Sequence, residues 1–149
     1  MKNMKIALCA ILLTFSISSF ARPNADKISD PVNRSFKQEF KNAEIMNCEI
    51  SSNLTKLTFR MNDLVLYAFY SDQGELLAVT RNILTSQLPL NLMLNVRKNY
   101  KDYWVSDLFE LTSKDDNAYY LTLENATVKV VLRSRDGDAW EVYNKTDKD

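Results

Sequence analysis

Asp136, Gly137, Asp138 and Glu141 stand together in "RSRDGDAWEVY", residues 133–143, and are the residues that most suggest ion chemistry. A calcium loop needs oxygen ligands at alternating positions over about twelve residues, closed by a bidentate Glu. Here Ser134 and Trp140 fall where ligands should recur, and the similar stretch "YSDQGELLAV" offers only Asp72, Gln73 and Glu75. An Asp-Gly pair between alternating apolar runs is instead a hairpin signal, because a type I′ turn takes positive φ at both central residues. Gln73-Gly74 and Asp136-Gly137 are therefore predicted as tight turns, with no metal ligands.

Other reactive groups are scarce. The chain has no histidine, so the commonest general base and the usual zinc ligand are both missing. There is no Gly-rich phosphate loop, nucleophile elbow or CxxC pair. Asp115-Asp116 beside Lys114 reads as a solvated hairpin loop. Two carboxylates alone can hydrolyse a glycoside, but a short meander without an evident cleft does not support that use. Cys48, in "IMNCEI", shares a strand face with Met46 and Ile50 and reads as a small core residue. No catalytic residue, metal site or cofactor is predicted, and the chain is expected not to be an enzyme.

Compartment is more legible. Lys2 and Lys5 precede an apolar run from Ile6 to Ile17 that ends in Ser19-Phe20-Ala21, the pattern of a cleaved export signal over 1–21. That run is too short for a membrane span, which needs about 20 apolar residues. Cleavage after Ala21 leaves 128 of the 149 residues, with 17 basic and 19 acidic side chains and Cys48 as the single cysteine. The protein is thus expected to be periplasmic or secreted, a single domain without an internal disulfide. Near-neutral charge without a basic cluster argues against a nucleic-acid partner. Residues 22–31 read as a loose tail. Asn33, Asn53, Asn125 and Asn144 head Asn-x-Ser/Thr sequons that matter only in a eukaryotic secretory route.

The elements emerge from an internal similarity. Val32, Phe36 and Phe40 recur 60 residues later as Leu92, Val96 and Tyr100, at the i, i+4, i+8 spacing of a helix stripe. Leu57, Phe59 and Met61 return as Tyr119, Leu121 and Leu123, and Gly74 as Gly137. The chain therefore reads as a tandem repeat, 32–82 and 84–145, within a domain spanning 32–145. Each unit is a helix followed by a four-stranded antiparallel meander, an α+β fold with the helices on one face of the sheet. The first helix starts near Asp30, read as the N-cap with Pro31 after it, and the second is capped by Thr85 or Ser86. Strands are expected near 44–50, 54–61, 64–71 and 75–81, then 103–112, 117–124, 126–134 and 138–144.

Alternation assigns the faces. Val128, Val130 and Leu132 point toward the helices, and transfer through the repeat puts Val65, Tyr67, Phe69, Leu77, Val79, Trp140 and Val142 with them. By parity Leu66, Ala68, Tyr70, Trp104, Tyr120, Val131 and Tyr143 fall on the opposite face. That face is less polar than a solvated face should be, and aromatic residues with polar tips favour contact surfaces. Leu66, Tyr70, Trp104, Tyr120, Val131 and Tyr143 are the predicted partner-binding residues.

Ser71-Asp72-Gln73-Gly74-Glu75-Leu76, Ser86-Gln87-Leu88-Pro89 and Tyr100 follow one another in an order that resembles small periplasmic proteins of the beta-lactamase-inhibitor-like, or PepSY-like, family. The resemblance spans about residues 32–145 and departs after Tyr100, where Lys101-Asp102 replaces an expected Pro-Gly. It implies a helix-plus-four-strand fold in tandem and a non-enzymatic protein that grips a partner with its open sheet face. The function expected is an exported binding module for a protein or peptide of the cell envelope, with inhibitor-like behaviour by analogy. The alternatives are a small-ligand carrier, with a closed apolar pocket between sheet and helices, and a homodimeric envelope protein.

Overall fold

The computed structural model describes residues 28–148. The expected signal segment, 1–21, lies outside the described residues. Among the described residues two ten-residue helices, α1 (Asp30–Glu39) and α2 (Leu90–Asn99), accompany eight strands. These are β1 (Glu44–Ser51), β2 (Leu54–Met61), β3 (Leu64–Ser71), β4 (Leu76–Asn82), β5 (Trp104–Ser113), β6 (Asn117–Glu124), β7 (Val128–Ser134) and β8 (Glu141–Asp147). The fold is α+β. All eight strands join one antiparallel sheet in the order β1 to β8, so the expected pair of four-stranded meanders is a single continuous sheet. Its middle seam is β4 against β5, where Val79 pairs with Thr112 and Arg81 with Glu110. The connection between these two strands runs through α2.

Both helices pack on the same sheet face. Val32 and Phe36 of α1 are buried on Leu57, Phe59, Leu66, Ala68 and Tyr70. Phe36, Phe40 and Phe59 pack with ring centroids 4.6 to 5.3 Å apart. Leu92 of α2 is buried on Leu108, Leu121, Leu123, Val130 and Leu132, and the Trp140 indole N–H donates to the Leu92 carbonyl at 3.0 Å. The opposite, helix-free face carries a third buried cluster that crosses the seam: Leu54, Phe69, Ala78, Phe109, Leu111, Ala118, Tyr120 and Val131.

The first helix starts at Asp30 as expected, but the caps differ from expectation. Ser29, in extended conformation, occupies the N-cap position of α1, and Asp30 begins the helix ahead of Pro31. Thr85 and Ser86 belong to a separate turn of 3₁₀ helix, Thr85–Gln87, and α2 begins at Leu90 with Pro89 at the N-cap position. Pro89 is the cause, since a residue before proline is driven out of the helical region; Leu88 sits at φ −68 and ψ 150.

The turns are also corrected. Only the glycines of the two predicted turns have positive φ, +81 at Gly74 and +76 at Gly137. Gln73 and Asp136 are not among the positive-φ residues, so neither turn is type I′. Between β3 and β4, Gly74 N–H donates to Ser71 O and Ser71 N–H to Glu75 O, a longer loop than two residues. The two-residue loop with positive φ at both positions is Asn62-Asp63, at 51° and 63°, between β2 and β3.

Candidate functional site

Strand parity distributes the predicted site residues over both faces. Trp104, Tyr120, Val131 and Tyr143 project on the helix-free side, as expected. Trp104 pairs with Glu124 and Tyr120 with Arg133 across the ladder, while Val131 lies in the helix-free cluster with Tyr143 packed against it. Leu66 and Tyr70 do not. They pack under α1 with Ala68, and Tyr70 is fully buried there. The residues of β3 on the helix-free side are Val65, Tyr67 and Phe69, which sequence transfer had turned toward the helices. The slip has a simple origin. Leu66, Ala68 and Tyr70 stand 62 residues before Val128, Val130 and Leu132, and the 63-residue spacing of Gly74 and Gly137 applies only from the β3–β4 turn onward. Leu77 belongs with the helix-free cluster as well, because a bulge at Phe69/Tyr70 sets Leu76 opposite Tyr70.

The core of the helix-free face is a row of aromatic rings. Phe109 and Tyr120 stack with centroids 5.2 Å apart and planes 13° from parallel. Tyr143 meets Tyr120 edge-on at 5.6 Å. The Arg133 guanidinium lies 5.0 Å from the Tyr143 ring and donates to Glu141 at 2.7 Å. In the first half of the sheet, Lys56 bridges to Glu49 at 3.1 Å and lies 5.2 Å from the Tyr67 ring. Trp104, 53% exposed, forms one corner, with the Lys148 ammonium 4.8 Å from its ring and 2.6 Å from Glu124. Lys148 holds the Glu124 carboxyl below its usual range.

The electrostatics are uneven. Asp107 projects between these groups, opposite Thr122. Burial pushes its carboxyl above the usual range, against the lowering effect of the Leu108 N–H and Lys129. Burial, then Asp107 and Glu49, push the Tyr67 hydroxyl up. A face with aromatic rings at its core and charged pairs around them has the composition of a contact hot spot. Phe109, Asp107 and Lys56 escaped the sequence reading and Tyr67 was assigned to the wrong face; placing β5 parity from the Phe109–Tyr120 pairing would have found the first.

Other candidate groups resolve locally. Asp136 Oδ1 accepts from Asp138 N–H at 2.9 Å, and that bond above all holds its carboxyl below the usual range. Asn91 of α2 donates to Gly137 O and Asp138 O at 3.0 and 2.8 Å, fastening the turn to the helix. Cys48 is half-buried beside the α1 cluster, and burial followed by Glu49 pushes its thiol up. A cleft of about 430 Å³ lies where α2, β5, β6 and the β7–β8 turn meet. Asn91, Glu110, Asn117, Arg135 and Asp136 are in its wall, so it is not the closed apolar pocket a carrier needs. Among the described residues no helix is long and apolar enough to cross a membrane.

Two helices on one face of an eight-stranded antiparallel sheet define a BLIP-like fold. A BLIP-like protein from Bacteroides fragilis superposes with a TM-score of 0.66 at 15% identity, over 87% of this chain and 89% of that one. A DUF2874 family protein from Bacteroides uniformis reaches 0.69 at 10% identity, over 80% and 89%. A protein from Bacteroides eggerthii described as periplasmic reaches 0.68 at 11%, over 80% and 88%. No family model matches the sequence, and no curated protein matches it.

Proposed function

We propose that this protein is an exported, non-catalytic binding module that captures a protein or peptide of the cell envelope on its helix-free sheet face. The observation that carries this reading is the accessible set Trp104, Tyr143 and Tyr67, backed by the buried Phe109–Tyr120 stack and rimmed by Arg133–Glu141 and Lys56–Glu49, on the side of the sheet away from both helices. Rigid aromatic side chains supply contact area at little entropic cost, and rim charges set orientation. The BLIP-like fold supports inhibition as the mode of action, and the periplasmic description of one structural neighbour supports export. In this reading cleavage falls near Ala21 and 32–82 and 84–145 are two copies of one unit; Asp30 and Pro31 belong to α1 and so to the domain, not to a tail, and residues 22–27 of the expected tail lie outside the described residues. Leu66 and Tyr70 drop out as contact residues and Tyr67 joins Trp104 and Tyr143 as the side chains a partner can reach, while Tyr120, Val131 and Phe109 are buried beneath them and hold them in place.

The test is capture from the envelope fraction by the processed protein, with its mass measured in solution. A monomer that retains one discrete protein, and lowers that protein's activity if it is an enzyme, supports the reading. A dimer that retains nothing, and becomes monomeric when Tyr143 is changed, makes the face a contact between copies.

A further inference from the structure

The two helices offer an internal comparison. Each lays an equivalent stripe on the same sheet face, Val32 and Phe36 in α1 and Leu92 and Val96 in α2. Their outward ridges should then be equally polar, because packing asks nothing of them. In α1 that ridge is Asp30, Arg34 and Gln38, all exposed. In α2 it is Leu90, Leu94 and Lys98, with Leu90 64% and Leu94 51% exposed. Leu84, in the segment leading into α2, is 70% exposed. Arg97, Lys98 and Lys101 follow at the end of the helix, exposed and in no ion pair recorded among the described residues.

We propose that the outward ridge of α2 docks on an anionic lipid surface. Leu90 and Leu94 would enter the boundary between headgroups and acyl chains, while Arg97, Lys98 and Lys101 meet lipid phosphates. Exposed leucines beside basic side chains on one helix face are what an interfacial helix requires. Basic residues near an anionic bilayer add attraction that a neutral bilayer cannot. A ridge of two leucines is far too small for a stable contact between copies, which buries on the order of 1,000 Å² or more. This surface is independent of the proposed partner face. Because α2 covers the other side of the sheet, docking leaves the helix-free face turned away from the lipid.

The experiment is sedimentation of the naturally processed protein with phosphatidylglycerol-containing vesicles and with pure phosphatidylcholine vesicles, at low and moderate salt. The expected result is salt-sensitive partitioning onto the anionic vesicles alone. Leu90→Asn with Leu94→Asn should lower it at least about tenfold, and Arg97→Gln with Lys98→Gln about fivefold per residue. Both pairs lie on the surface, and an unchanged melting temperature shows the fold is kept. Absence of binding to anionic vesicles, equal binding to both types, or binding indifferent to both pairs overturns the proposal. So does a dimer that the leucine pair dissociates.

Discussion

Gly74 sits directly against Pro31: a side-chain carbon on Gly74 would lie 2.7 Å from the Pro31 carbonyl carbon and oxygen. The β3–β4 turn thereby rests on the first turn of α1, and the close approach accepts no Cβ. Gly137 is roomier, with Pro89 Cγ at 3.5 Å from the same built position. Both also hold φ near +80, at +81 and +76. Gly74→Ala should therefore cost about 3 kcal/mol or more, adding a backbone clash to the left-handed strain, and Gly137→Ala about 1 kcal/mol. Urea unfolding of the two variants side by side checks the order; equal losses would mean the Pro31 contact gives way easily.

Tyr70 is fully buried under α1, and its hydroxyl has no hydrogen-bond partner among the described residues. Replacing it by Phe removes an unsatisfied polar group and should leave stability unchanged or raise it by about 1 kcal/mol. Burial, then Glu39, also pushes this hydroxyl's pKa well above the ordinary value. With the folded pKa above the unfolded one, the neutral form stabilises the fold fully below about pH 10 and that stability is lost as pH rises further. The wild type should accordingly lose stability in alkali more steeply than Tyr70→Phe, measured as denaturation midpoints from pH 8 to 11.

Asp107 carries the opposite liability. Its carboxyl is pushed up mainly by burial, so the fold favours the neutral acid below the unfolded value near pH 4 and loses that advantage as pH rises through the folded value. Asp107→Asn should then be more stable than wild type at pH 7 and no more stable at pH 3. If Asp107 meets a basic group of the partner, the same variant weakens capture while the fold gains.

Tyr120 and Trp104, both on the helix-free face, should part company on truncation. Tyr120 is 1% exposed and wedged between Phe109 and Tyr143, so Tyr120→Ala should cost about 3 kcal/mol or more. Trp104 is half-exposed at a corner under Lys148, and Trp104→Ala should cost less than about 1 kcal/mol. Thermal melts of the two variants measure this. Trp104 and Tyr143 are thus usable probes of binding, whereas Tyr120 confounds binding with folding.

These distinctions show where sequence reading succeeds and where it stops. Strand ends came within three residues because turns and alternating runs bound most of them. In β7, "VKVVLRS", polar and apolar residues alternate enough to fix the face. In β3, "LVLYAFYS", the first seven residues are apolar or aromatic, so nothing local distinguishes one face from the other. Its orientation then hung on a repeat offset of 62 or 63, and one residue reverses every side chain. Leu66 and Tyr70 were lost to that slip, and Tyr67 was hidden by it. Asp107 and Lys56 were invisible for another reason: their importance lies in neighbours brought from other strands.

The central claim, that the helix-free face is the binding surface, is tested most directly by comparing capture across three proteins of equal melting temperature. These are the wild type, Trp104→Ala with Tyr143→Ala, and Leu90→Asn with Leu94→Asn. The account predicts that the aromatic pair loses the captured envelope protein at least about tenfold while the α2 pair retains it. Capture that survives loss of Trp104 and Tyr143 would contradict it, and would move the binding surface to the helix side of the sheet.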